Sequence, residues 1–232
     1  EKFISKKFNY KEKIIDFLVS DKTESLTNLD IAAFLDELSS SSPAPGGGSV
    51  SALAGALSAS LTSMVANLTI GKKKWESVYD EMCRIGELSQ DLKDQLAILI
   101  DADTEAFNLV LQAYRLPKAT NEDIKSRKNA IENAMKNAAS VPYETMKLCC
   151  KTMELIKQVA LNGNPNSITD AAVAGELALA GARGAALNVE INLIDIDDEV
   201  FSKKMKTDIS TAITLALKET KLIRKIVQQK MQ

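Results

Sequence analysis

The chain has 232 residues, 45% hydrophobic and 26% charged, with a formal net charge of -2. That length supports one large domain with a buried core, and the balance excludes both a disordered tail and a strongly basic nucleic-acid binder. Histidine is absent, which removes Ser-His-Asp and Cys-His nucleophilic systems, His-ligated zinc and imidazole relays, so an acid or base here is a carboxyl group, an amine, a thiol or a phenol. The three cysteines, Cys83, Cys149 and Cys150, are odd in number and lack a CxxC spacing. They argue against a disulfide framework and for a reducing, cytoplasmic compartment. No uninterrupted apolar run is long enough to predict a membrane span, and the charged N-terminal stretch lacks the apolar core of a signal peptide.

With five prolines, ten glycines and abundant alanine, long segments carry no helix breaker. The predicted class is all-α, an up-and-down or orthogonal bundle of long Ala-rich helices. Residues 1–28 read as a linker with a short helix over Asn9 to Val19, and residues 29–232 as the helical domain. Leu29 to Leu38 forms a short amphipathic helix capped by Thr27 or Asn28. After four serines, Pro43-Ala44-Pro45-Gly46-Gly47-Gly48-Ser49 is the sharpest punctuation in the chain. A long helix follows, from about Ser49 to Ile70, with Ser51, Gly55, Ala59 and Ser63 every four residues. Such a ridgeless face admits another helix closely, as expected of the central helix of a bundle. Lys73 to Ala113 is helical, and Arg115-Leu116-Pro117-Lys118 breaks the pattern. Asn121 to Ala139 is helical with Thr120 and Asp123 as a capping box. Pro142 opens a further helix to Leu161, and the loop Asn162 to Ser167 leads to a small-residue helix over Ile168 to Ile194. The last helix starts near Asp197.

Four segments can carry chemistry. The Gly46-Gly47-Gly48 run permits positive φ and close backbone approach, and it opens a helix whose free N–H groups favour an anion or a carbonyl oxygen. It is equally a tight connector, and its spacing fits neither a P-loop nor a dinucleotide fingerprint. Lys72, Lys73 and Lys74 follow the same helix, where cations complement its C-terminus or dock carboxylates. The two motifs lie about 33 Å apart along some 22 residues at 1.5 Å each, so one ligand in one subunit does not easily touch both, whereas an antiparallel neighbour brings them together. Asp101-Ala102-Asp103-Thr104-Glu105 sits in mid-helix, where Asp needs a reason. It is either a solvated face or a buried one with a raised carboxyl pKa. Finally, Asn164, Asn166, Ser167, Thr169 and Asp170 open a helix that carries Arg183, Asn188 and Asn192 further on. Buried amides there must be paired, with protein or with ligand.

Taken together, Pro45-Gly46-Gly47-Gly48-Ser49-Val50, Met64-Val65, Leu68-Thr69, Gly71-Lys72-Lys73, Asp101-Ala102-Asp103 with Ala106-Phe107, and Arg115-Leu116-Pro117-Lys118 resemble the formiminotetrahydrofolate cyclodeaminase family. So do Arg127, Val141-Pro142, Gly163-Asn164, Ser167-Ile168-Thr169-Asp170, Asn188-Val189 and Ile191-Asn192-Leu193. The likeness runs in family order from about residue 29. The segment Phe8 to Val19 looks like the linker of the bifunctional formimidoyltransferase-cyclodeaminase. With a chain beginning at Glu1, this predicts an excised C-terminal domain.

The resemblance implies an all-helical homodimer with folate sites at or near the subunit interface, assembling further when fused to a transferase domain. It implies closure of 5-formiminotetrahydrofolate to 5,10-methenyltetrahydrofolate with loss of ammonia, a step of histidine breakdown. Relatives act as methenyltetrahydrofolate cyclohydrolases, so that activity is the alternative, with a non-catalytic helical scaffold as a second. Tetrahydrofolate, which can be polyglutamylated, is the substrate carrier, and the reaction needs no further cofactor and no metal. Neither nucleic acid nor a membrane span is expected. For the acid and base the choice falls on Asp101 and Asp170, with Asp103 in reserve. Gly46, Gly47, Gly48 and Ser49 would hold the pterin or the folate amide, Lys72, Lys73 and Arg127 the glutamate tail, and Asn164 and Ser167 the ring, with Asn188 a further substrate-binding residue.

Overall fold

The computed structural model describes residues 25–232; the helix expected over 9–19, and most of the linker, lie outside the described residues. Six α-helices and no strand occur among those residues. They are α1 (Ile31–Leu38), α2 (Gly47–Asn67), α3 (Tyr79–Arg115), α4 (Asn121–Asn162), α5 (Ile168–Asn192) and α6 (Glu199–Lys230). The all-α expectation therefore holds. Short 3-10 turns at Leu26–Asn28, Lys73–Val78 and Pro165–Ser167 join or precede them.

Helix α2 is the core element, packed on α3, α4 and α5. By length and composition it could cross a membrane, yet 61% of its apolar window is buried inside the bundle. Its small residues make that possible. A Cβ on Gly55 would stand 2.7 Å from Cys149 Sγ, and one on Gly181 of α5 would stand 2.8 Å from the Ser51 carbonyl oxygen. Side chains at these positions would force the helices apart, so the small-residue stripe is the physical condition for the α2–α5 contact. The hydroxyls buried with it are satisfied locally: Thr62 and Thr69 donate to the Ser58 and Val65 carbonyls at 2.8 Å, while Ser58 donates across to the Ala174 carbonyl at 2.7 Å. That cross-link, with Asn164 N–H donating to Thr69 Oγ1 at 2.9 Å, sets α2 and α5 antiparallel.

Three expectations about elements need correction. The first helix starts at Ile31, capped by Asp30, whose carboxylate accepts from Ala33 N–H at 2.8 Å; Thr27 and Asn28 belong instead to the preceding 3-10 turn. The stretch after Lys72 is a 3-10 turn, and α3 begins only at Tyr79. Pro142 does not open a helix. It lies inside the continuous 42-residue α4. Proline removes one backbone donor and so frees the carbonyl four residues earlier, that of Ala138. Asn192 of α5 fills the gap, donating its Nδ2 to Ala138 O at 2.8 Å. A tertiary hydrogen bond thus replaces the missing helical one, and the helix runs on.

Candidate functional site

At the N-terminal end of α2 a cavity of about 550 Å³ opens among Gly46, Gly47, Gly48, Asp103, Phe107, Tyr114, Asn188 and Asn192. Its wall on α3 follows helical spacing, with Asp103, Phe107, Val110 and Tyr114 along one face. The expectation that the three glycines serve positive φ is not met. Gly71 alone takes that conformation among the described glycines, and Gly46 is extended at φ -132°. The glycines serve close approach instead. A Cβ on Gly48 would lie 2.0 Å from Asp103 Oδ1, and one on Gly47 would lie 3.3 Å from Asn188 Nδ2. With Gly46 as its N-cap, α2 starts without a side-chain cap. Among the described residues the N–H groups of Gly47 and Gly48 have no acceptor, which leaves two donors at the cavity.

Asp103 is the chemical centre of this arrangement. Its Oδ2 accepts from Ser49 N–H at 2.9 Å, and the single Ser49 hydroxyl hydrogen is shared between the Ile100 carbonyl at 2.9 Å and Oδ2 at 3.3 Å. Burial pushes the Asp103 pKa up, against the opposing pull of the Ser49 hydrogen bonds. A carboxyl group anchored by one oxygen, with its proton affinity raised, is suited to general acid–base work.

Other proton-transfer groups are set aside by their surroundings. Burial pushes the Cys149 thiol up to about 12 and Cys150 up to about 11, so neither supplies a thiolate at neutral pH. The Tyr143 phenol is pushed up to about 12 by burial and by its hydrogen bond to Asp208. No group of three or more potential metal ligands occurs among the described residues.

Asp101, chosen with Asp170 for the acid and base, faces the other way. Two residues along a helix rotate the side chain by about 200°. Its carboxylate accepts from Ser25 Oγ at 2.6 Å, Leu26 N–H at 2.5 Å and Thr27 Oγ1 at 3.1 Å. It thereby staples the N-terminal 3-10 turn to α3. Its i, i+4 neighbour Glu105 is exposed, and the carboxyl group of this stretch that burial pushes up is Asp103.

The remaining site expectations divide between two ends of α2, about 31 Å apart at 1.5 Å per residue. With Gly46–Ser49 and Asp103 stands Asn188, whose Nδ2 donates to the Gly184 carbonyl at 2.8 Å. Arg127 is nearby but outside the cavity. Its guanidinium donates to the Tyr114 carbonyl at 3.0 Å, lies 5.6 Å from that ring's centroid, and lines a second cavity of about 560 Å³ with Lys118, Lys128, Asp195 and Asp197. Asp195 borders both cavities.

At the far end of α2 sit Lys72, Lys73, Asn164, Ser167 and Asp170. Asn164 and Ser167 are buried, and Asn164 Nδ2 donates to the Leu68 carbonyl at 3.1 Å. Asn164 therefore joins the loop to α2. Asp170 is half-buried in the first turn of α5. The lysines do not sit in the last turn of α2; Lys72 and Lys74 instead stand 5.3 and 5.6 Å from the Trp75 ring centroid. Asn192 was not singled out from Asn188 by sequence. Its signal was the one-turn spacing of two amides on an alanine-rich helix.

A sequence model of the formiminotransferase-cyclodeaminase family matches residues 30–211. A methenyltetrahydrofolate cyclohydrolase of Methylorubrum extorquens is 45% identical over 76% of this chain and 85% of its own length. The formimidoyltransferase-cyclodeaminase of Rattus norvegicus is 35% identical over 93% of this chain, which spans only 40% of that protein. Among solved structures, formiminotetrahydrofolate cyclodeaminase from Thermotoga maritima superposes with a TM-score of 0.79 at 31% identity, covering 88% of this chain and 98% of that one. On this extent of matching, the chain belongs to the formiminotransferase-cyclodeaminase family, enzymes of folate interconversion.

Proposed function

We propose that this chain closes 5-formiminotetrahydrofolate to 5,10-methenyltetrahydrofolate with release of ammonia, and that Asp103, not Asp101 or Asp170, is its acid–base group. The observation that carries the assignment is the Asp103 carboxyl group, anchored at Oδ2 by Ser49 and turned with Oδ1 toward the bare Gly48.

The folate brings both reacting atoms, so much of the rate comes from holding them together. N10 adds to the formimino carbon, and the C=N electron pair moves onto the leaving nitrogen. That nitrogen gains two protons: N10's own, relayed by the carboxyl group, and the Asp103 proton, which solvent replaces. Ammonia then departs as the N5 lone pair completes the amidinium ring. Tetrahydrofolate is the substrate carrier, and these steps ask for no further cofactor. Asp103→Asn tests the role. The expected loss is about 10²–10⁴-fold in turnover, read from methenyltetrahydrofolate absorbance. A folded variant with wild-type turnover would refute it.

The 45% identity to a protein named as a cyclohydrolase favours a second reading. There the same carboxyl group would serve attack of water on the methenyl carbon. Ammonia release from the formimino substrate separates the two.

The reading extends to a homodimer. Val50, Leu57 and Met64 of α2 recur every seven residues and are exposed, as are Val173, Ala180 and Leu187 on the adjacent α5. Two apolar stripes of this kind on neighbouring helices fit a self-complementary interface. A twofold pairing of antiparallel α2 helices would set the partner's Lys72, the partner's Lys73 and the partner's Asp170 against the Asp103 cavity. It would join the two separated ends of α2, with Arg127 left to meet the glutamate tail. Leu57→Glu is expected to yield monomers by sedimentation and to lower activity with them; an active monomer would sink the composite site. The rat relative, a formimidoyltransferase-cyclodeaminase of which this chain spans 40%, supports a fused transferase domain, and the free cysteines fit a cytoplasmic setting; a higher assembly and a role in histidine breakdown belong to the same reading.

A further inference from the structure

We infer that Asn188 and Asn192 form an acceptor pair that selects the donor edge of the pterin, its 2-amino group and N3–H, and that Pro142 sets this polarity. The inference rests on the folate reading above and adds how the ring is recognised.

Both amides line the cavity that Asp103 also borders. In each the direction of the group follows from chemistry. Asn188 Nδ2 lies 2.8 Å from the Gly184 carbonyl and Asn192 Nδ2 lies 2.8 Å from the Ala138 carbonyl. A carbonyl oxygen only accepts, so the nitrogen of each amide must face it and the oxygen must face away. Neither Oδ1 receives a hydrogen bond among the described residues, and neither is a sealed, unsatisfied atom. The cavity therefore meets a ligand with two amide oxygens, carried by residues one helical turn apart, about 6 Å along the axis.

The Ala138 carbonyl is open to Asn192 because Pro142, four residues on, has no N–H to give it. An ordinary residue at 142 would compete for that carbonyl and release the amide to turn over. Pro142 is thus a positioning residue acting through Asn192. Two acceptors on residues a helical turn apart call for a ligand edge with two diverging donors, and the pterin's N3–H with the 2-amino N–H that points away from it, on the two nitrogens bonded to C2, is such an edge. The pterin's own acceptors, O4 and N1, would be left to the Gly47 and Gly48 N–H groups. Pockets built to hydrogen-bond a polar group discriminate strongly against analogues that lack it, because the protein groups are then left unpaired.

The test is calorimetric titration of the full chain with tetrahydrofolate and with its 2-desamino-2-methyl analogue. For the wild type, the analogue is expected to bind about ten- to a hundredfold more weakly. In Asn192→Leu that ratio is expected to shrink to a few-fold. In Pro142→Ala it is expected to fall partway, with thermal unfolding still cooperative. Equal binding of the two ligands by the wild type overturns the inference without any variant. So does a folded Asn192→Leu protein that keeps the full wild-type ratio. If the wild type binds neither ligand, the folate reading itself fails; if it binds both equally, only this inference does.

Discussion

Gly48→Ala is the sharpest single perturbation of this site. The new Cβ would lie 2.0 Å from Asp103 Oδ1, 2.4 Å from Cγ and 2.5 Å from Oδ2. Ordinary contact begins near 3.4 Å, so the carboxyl group must retreat by about 1.4 Å, the difference between 3.4 and 2.0 Å. Asp has a short side chain on a packed helix and cannot swing clear without giving up the Ser49 N–H bond at 2.9 Å. Losing a hydrogen bond to a charged or partly charged group costs roughly 1.5–3 kcal/mol, and overpacking adds roughly 1–3 kcal/mol. Alanine in the first turn of a helix returns at most about 1 kcal/mol over glycine. The balance is a destabilisation of about 2–5 kcal/mol.

A displacement of about 1 Å in a positioned catalytic group costs on the order of 10²-fold in rate, so activity should fall even in the folded fraction. The assay pairs a denaturant melt with turnover measured by methenyltetrahydrofolate absorbance. The double variant Gly48→Ala with Asp103→Ala supplies the control. With the carboxyl group gone, the added methyl meets empty space, and the stability cost should largely vanish as a coupling between the two sites. A Gly48→Ala protein with wild-type melting and turnover would refute the geometry on which Asp103 is assigned.

The pH dependence of Asp103 gives an independent check. Burial raises its pKa in the folded state, so the folded protein holds this proton more tightly than the unfolded chain. Stability from this group is therefore full below the unfolded carboxyl value of about 3.9 and is lost as pH rises through the folded value. Asp103→Asn should accordingly be more stable than wild type at neutral pH, with the difference vanishing on acidification; a difference that grows toward low pH would reverse the sign. Asp101→Asn should do the opposite in function. It weakens the bonds to Ser25, Leu26 and Thr27 and should cost about 1–3 kcal/mol in a chemical melt while leaving turnover within a few-fold. Loss of turnover comparable to that of Asp103→Asn would return Asp101 to the site.

Much of this protein is written locally. The all-α class, the capping box at Thr120 and Asp123, and the small-residue faces of α2 and α5 follow from breakers, periodicity and side-chain size, which act over one or two turns. The absence of histidine restricts proton transfer to carboxyl, amine, thiol and phenol groups whatever the fold. Membership of a folate-interconverting family is likewise carried by motifs in order along the chain.

Tertiary structure decided the rest. Asp101 and Asp103 are near neighbours in sequence, yet one staples a turn and the other borders a cavity, because two helical steps turn a side chain to the opposite face. Pro142 reads locally as a helix start; only the approach of Asn192 from α5 supplies the donor that lets α4 pass through it. The glycines after Pro45 read as a positive-φ turn or a tight connector, but the close approach of Asp103 and Asn188 is what demands Gly48 and Gly47. In each case the deciding partner lies at least 40 residues away, and periodicity along one segment carries no information about which face of another segment it will meet.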